Sequence, residues 1–167
     1  MNTSDISGKA FEISDLTDFK LNIVGEGELK DELQSTYSHN ASIQFLGHES
    51  NSTVLRKIEN ATAVVTATTL YEGQPRLLCE ASSLKTVSIY PSFGGMDEFF
   101  PNNYKLSFEQ FNYKDLVYKL NLLLDDQMTE AVVTGVEWNP SKDGYLKPKI
   151  AINPVVIGGS TISFTTG

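Results

Sequence analysis

The segment Tyr71-Glu72-Gly73-Gln74-Pro75-Arg76-Leu77-Leu78-Cys79-Glu80-Ala81 concentrates the residue types able to do chemistry. Two carboxylates, Glu72 and Glu80, flank a proline of the kind that opens a helix. The spacing puts Glu72 in a loop after a strand and Glu80 one turn into the following helix. The first backbone N–H groups of a helix lack intrahelical partners and carry partial positive charge, so such a turn can hold a diphosphate. Carboxylates on either side can accept hydrogen bonds from hydroxyls, from a sugar at one end and a ribose at the other. Gly73 lets a ligand approach the backbone. The alternative reading is an ordinary helix start with two acidic residues.

The elements that would position these groups alternate in period. Lys20-Leu-Asn-Ile-Val24 is a short apolar run ended by Gly25-Glu-Gly27, and a helix is expected over 28–38, with Leu29 and Leu33 four apart. A strand at 42–46 ends at Gly47, and a helix follows over 52–58. Strands at 63–66 and 86–90 enclose the helix expected over 75–84, and Pro91-Ser-Phe-Gly94-Gly95 closes the last of them. Asn112 is placed to cap a helix with an apolar stripe of Leu116, Val117, Leu120, Leu123 and Leu124. Alternating β and α with short loops predicts an α/β fold, a parallel sheet with helices on both faces.

The rear of the chain differs. Residues 1–126 carry 10 basic and 18 acidic residues, whereas 127–167 carry three of each, with five of the 12 glycines and three of the six prolines. A boundary is therefore expected after Asp126, giving an N-terminal lead (1–18), an α/β domain (19–126) and a β appendage (127–167). Val132, Thr134, Val136 and Trp138 alternate with their neighbours, Asn139-Pro-Ser-Lys-Asp-Gly144 reads as a turn, and 161–164 forms a third run. The expectation is an antiparallel meander that adds no strand to the parallel sheet.

Composition narrows the function. A net charge of −8 argues against broad binding to nucleic acid or anionic membrane. One cysteine and two histidines (His39, His48) exclude a disulfide framework and a Cys/His zinc site, so no metal is expected. No apolar run reaches 18 residues and the start is not a secretory signal, so a cytoplasmic chain without an integral membrane segment is expected. Cys79, beside apolar Leu77 and Leu78, reads as buried.

The Glu72-to-Glu80 segment resembles the E-x7-E element of retaining, nucleotide-sugar-dependent glycosyltransferases built from two Rossmann-like domains. Three further pieces agree in order. Leu21-Asn-Ile-Val-Gly25-Glu-Gly27-Glu-Leu29 resembles that family's strand and Gly-x-Gly turn, Ile43-Gln-Phe-Leu-Gly47 its short strand beside the base pocket, and Phe93-Gly94-Gly95-Met96-Asp97-Glu98 its Gly-Gly-x-x-Glu loop. The resemblance over 19–125 implies the donor-binding half of such an enzyme. Glu72 would contact the donor sugar as the catalytic carboxylate, Arg76, Leu77 and Leu78 would offer amides to sugar or diphosphate, and Glu80 would bind ribose. Gly25, Gly27, Gly73, Gly94, Gly95 and Glu98 would line the donor. The nucleoside-diphosphate sugar is a substrate, and no cofactor is implied.

The family's domain normally opens with a strand ending in Gly-Arg and a Lys-Gly pair shortly after, whose charges offset the diphosphate. Residues 1–18 hold only Gly8-Lys9. The chain therefore reads as a fragment, inactive alone, whose acceptor-binding domain would be separate. Residues 131–165 resemble the start of the oligonucleotide-binding barrel of NAD-dependent DNA ligases. The competing readings are thus a nucleic-acid-binding ligase fragment, or an inactive composite of two gene pieces. The acidic front disfavours nucleic acid as a partner.

Overall fold

The computed structural model describes residues 3–69, 71, 75–101, 104–124, 132–140, 146–153 and 161–165. Within them, strands β1 (Lys20–Val24), β2 (Ile43–Gly47), β3 (Ala63–Val65), β4 (Val87–Ser92) and β5 (Ser107–Glu109) alternate with helices. These are α1 (Thr3–Glu12), α2 (Lys30–Thr36), α3 (Asn51–Glu59), α4 (Arg76–Ser83) and α5 (Tyr113–Asn121). Then come β6 (Val132–Pro140), β7 (Leu146–Asn153) and β8 (Thr161–Thr165). The main sheet has the order β2-β1-β8-β3-β4-β5, and every pairing in it is parallel.

A parallel sheet covered on both faces needs strands that are apolar throughout rather than alternating. Ala63-Val64-Val65 meets that demand, and all three residues are buried. On one face α1, α2 and α5 bring Ile6, Phe11, Leu33, Tyr37, Leu116 and Leu120 against Leu21, Ile23, Val65, Ile89 and Phe108. On the other, α3 and α4 bring Ile58, Leu78 and Ala81 against Val64 and Tyr90. Each wholly buried leucine contributes about 1.5–3 kcal/mol. The expected cap holds: Asn112 accepts a hydrogen bond from the Asp115 N–H at 3.1 Å. Ser50 does the same for α3, accepting from the Thr53 N–H at 3.3 Å.

Three sequence expectations are corrected. The lead contains helix α1, whose Ile6, Ala10 and Phe11 recur at helical spacing and are buried. Gly8 is there for packing: a Cβ on it would come within 2.6 Å of the Tyr37 ring. The segment after α1 is held by the Asn121 side chain, which accepts from the Asp15 N–H at 2.9 Å and donates to its carboxylate at 2.8 Å. β5 was not expected and adds a fifth strand to the four read from sequence.

The third correction concerns the rear. β6 and β7 form the expected antiparallel hairpin, with Val136 opposite Ile150 and Trp138 opposite Pro148, and β6 runs beside α4. β8 leaves the meander. It inserts between β1 and β3, parallel to both. The parallel sheet therefore draws on both sides of the boundary expected after Asp126.

Because β5 pairs only with 90–92, the Ser88 peptide on that side of β4 has no strand partner. The Tyr104 hydroxyl replaces it, donating to the Ser88 carbonyl at 2.5 Å and accepting from its N–H at 3.1 Å. Burial raises the Tyr104 hydroxyl pKa far above the usual tyrosine value, so it stays a neutral donor.

Candidate functional site

All strands of the main sheet point the same way, so the turns after β1, β2, β3 and β4 share one edge. The order β2-β1-β8-β3-β4-β5 is the 3-2-1-4-5-6 order of a doubly wound sheet, with β8 in position one. The chain runs outward one way from β1 to β2 and the other way from β3 to β5, so its direction reverses across the position that β8 fills. In such sheets the ligand crevice lies outside the carboxyl ends of the strands at that reversal.

The turn after β1 is tied to the end of β2: the Gly25 N–H donates to the Gly47 carbonyl at 2.9 Å. Gly25 has φ 131° and Gly47 φ 70°, backbone that L side chains rarely adopt. Gly27 has open space around it, with nothing within 4 Å of where a Cβ would stand. Lys30, at the start of α2, lies over Gly47 and forms a 3.6 Å ion pair with Glu26. This cation at the ligand edge was missed from sequence. Its signal was the i, i+4 spacing from Glu26 immediately after the Gly-x-Gly turn.

At the start of α4, Pro75 takes the capping position and offers no side-chain cap. Among the described residues no side chain caps these N-terminal amides. Arg76 folds along the helix and outward: its Nε donates to Glu80 Oε1 at 2.7 Å, and its guanidinium donates to Asn51 Oδ1 at 2.9 Å. α4 is so tethered to the first residue of α3. Leu78 is wholly buried and Leu77 partly, which leaves these two residues their backbones for ligand contact. Burial, and then the neighbouring Glu80 carboxylate, push the Cys79 thiol pKa up, so it is a poor nucleophile. Glu72 and Gly73 lie outside the described residues.

The loop after β4 turns at Gly94 (φ 65°). Gly95 and Met96 are buried, while Glu98 is exposed, its N–H donating to the Gly95 carbonyl at 3.2 Å. Phe93 meets Tyr71 edge to face, ring centroids 6.0 Å apart. That contact joins the loop after β3 to the loop after β4. It sets the chain immediately before Glu72 beside Gly94. Both rings are exposed. The structure thus draws Gly25 to Gly47, and the Tyr71 loop to the Gly94-Gly95 loop, along one edge with the start of α4.

The model of the glycosyl transferases group 1 family matches residues 5–134. The chain belongs to that family. Its fold is also that of the catalytic domain of cholesterol-alpha-glucosyltransferase from Helicobacter pylori, with a TM-score of 0.62 and 18% identity over 75% of this chain and 79% of that one. The match to group 1 glycosyl transferases and this likeness bear out the α/β, Rossmann-like reading. Over a stretch of 42 residues the chain is 48% identical to Putative DNA ligase 205R of Invertebrate iridescent virus 6. That stretch is 25% of this chain and spans only 7% of the ligase. Among the described residues no helix is long and apolar enough to cross a membrane, and no three His, Cys, Asp or Glu side chains are grouped to hold a metal ion.

Proposed function

We propose that this glycosyltransferase-family chain binds a nucleoside-diphosphate sugar at the carboxyl edge of its main sheet, as the donor side of a sugar transfer that retains anomeric configuration. The observation that carries the reading is the start of α4, which among the described residues has no side-chain cap, at the edge where the doubly wound order reverses. Anions are favoured at a helix N-terminus by oriented amides and by the helix dipole. The amides of Arg76, Leu77 and Leu78 would take the diphosphate, and Lys30 would add positive charge from across the edge. Glu80 would accept from the ribose hydroxyls, and Glu72 from the sugar. Gly25, Gly27, Gly73, Gly94 and Gly95 would let the donor approach the backbone, with Glu98 on the far loop.

In the transfer itself, the bond between the anomeric carbon and the diphosphate oxygen breaks, one to the acceptor oxygen forms, and the acceptor hydroxyl gives its proton to the departing diphosphate. Charge grows on the departing diphosphate, where the α4 amides and Lys30 would stabilise it. The acceptor hydroxyl would come from a facing domain, and a cytoplasmic setting fits the free nucleotide donor. No cofactor enters this chemistry.

The test is calorimetric titration of the full chain with UDP, GDP, ADP and their glucose or mannose conjugates. Saturable binding of one base class, tighter for its sugar conjugate, supports the reading. Glu72→Gln should then weaken the conjugate more than the bare nucleotide. Absence of binding across the whole set would remove the reading.

A further inference from the structure

β1 and β3 do not touch. β8 lies between them, with Ile162 opposite both Leu21 and Ala63, and Phe164 opposite both Ile23 and Val65. Leu21, Ile23, Ala63 and Val65 all belong to the core under α1 and α5, so register places 162 and 164 on that same face. Thr161, Ser163 and Thr165 fall on the other face, where Ser163 lies level with Asn22 and Val64.

The other neighbouring strands are joined through one intervening helix or loop: β1 to β2 by α2, β3 to β4 by α4, and β4 to β5 by the loop holding Tyr104. β8 alone in the main sheet comes from the far end of the described residues. It follows a hairpin that pairs only with itself. Without it the sheet divides into β2-β1 and β3-β4-β5, and two edges with unpaired N–H and C=O groups face each other across one strand's width.

We propose that the slot between β1 and β3 is a strand-acceptor site. Its resident occupant is the chain's own 161–165 segment, and it takes the same extended segment from a separate peptide. Recognition is by main-chain hydrogen bonds on both sides, with apolar residues at two alternate positions for the core face. Occupancy unites the turn after β1 and the turn before α4 on one edge. In the proposed donor reading, on which this last step rests, the strand governs whether the site exists.

The experiment uses the full chain carrying Ser163→Pro, because proline removes an N–H and is not accommodated in a strand paired on both sides. Hydrogen exchange is followed by mass spectrometry, with and without a synthetic peptide of residues 159–167. Protection over 21–24 and 63–65 should fall roughly tenfold or more, as expected for opening of a cooperative unit. The wild-type peptide should restore it, and a peptide with the same proline should not. Val136→Pro, in the hairpin, should leave 21–24 and 63–65 protected. Unchanged protection in Ser163→Pro would overturn the proposal, as would lost protection that the peptide fails to restore. If Ser163→Pro does not fold, Ser163→Gly must show the same peptide-reversible exposure, and its failure to do so counts against the slot. Nucleotide is absent throughout, so a negative result here leaves the donor reading to its own titration.

Discussion

Replacing Glu80 with alanine separates a ligand contact from a structural one, because the two carry different magnitudes. In the free protein Glu80 accepts from Arg76 Nε at 2.7 Å, with the Arg76 side chain 75% exposed and that of Glu80 23%. A pair open to water on one side contributes little. Here the cation also precedes the carboxylate and sits at the helix N-terminus, the less favourable order in both respects. The stability lost should be about 0.5 kcal/mol or less. For a chain of this size that lowers Tm by about 1–2 °C. Hydrogen bonds from ribose hydroxyls to a carboxylate are worth about 1.5–3 kcal/mol, or roughly a 10- to 150-fold rise in Kd. Scanning calorimetry and titration with the preferred nucleoside diphosphate measure both on one preparation. Arg76→Met is the control: it loses the same ion pair but keeps the backbone amide and the carboxylate. It should lower Tm at least as much as Glu80→Ala, since the bond to Asn51 is lost as well, and keep nucleotide affinity within about threefold, a change under 1 kcal/mol. A Kd for Glu80→Ala within twofold of wild type would refute the ribose assignment.

Three further outcomes are expected. Lys85→Gly should raise stability by about 1 kcal/mol in urea denaturation, because Lys85 holds φ 64° just past α4; there its N–H bonds the Ser82 carbonyl and that of Thr86 bonds Ala81, an arrangement that favours glycine. Tyr104→Phe should cost about 1–3 kcal/mol in the same assay, since it strips both partners from the Ser88 peptide while keeping the ring stacked on Tyr90 and tilted against Phe100. Cys79 should react with iodoacetamide at pH 8 more slowly than a small free thiol, because its pKa is raised, and Glu80→Gln should speed the reaction by removing the neighbouring negative charge.

What the sequence disclosed follows from how local each signal is. β3 and β4 are buried on both faces, so their apolar runs announce them without reference to any partner. Leu116, Val117 and Leu120 of the expected stripe and the Asn112 cap lie within α5 and were equally readable, whereas Leu123 and Leu124 fall in a 3-10 turn past its end, with Leu124 exposed. β5 is only three residues, Ser107-Phe108-Glu109, too few to establish a period. In α1 the apolar spacing of Ile6, Ala10 and Phe11 was present, but it is short and interrupted by Gly8, whose purpose appears only when the Tyr37 ring is seen against it.

The site divides along the same line. Gly25 and Gly94 stand at positive φ, where a turn selects glycine locally and the sequence shows it. The Arg76–Asn51 bond and the Tyr71–Phe93 contact join separate loops, and no spacing along the chain encodes them.

β8 shows the limit most directly. Its alternation of Thr161, Ser163 and Thr165 with Ile162 and Phe164 suits a half-buried antiparallel strand as well as a central parallel one. Period fixes which residues share a face; it does not fix the neighbour. What decides the neighbour is that β1 and β3, joined over β2 by a reversing path, leave a slot one strand wide in the middle of the sheet. An empty slot would leave both flanking edges with buried, unpaired backbone groups, at a cost far above that of ordering five residues of matching period. The strand in that place is therefore set by the vacancy the other elements create, and its sequence need only be compatible with filling it.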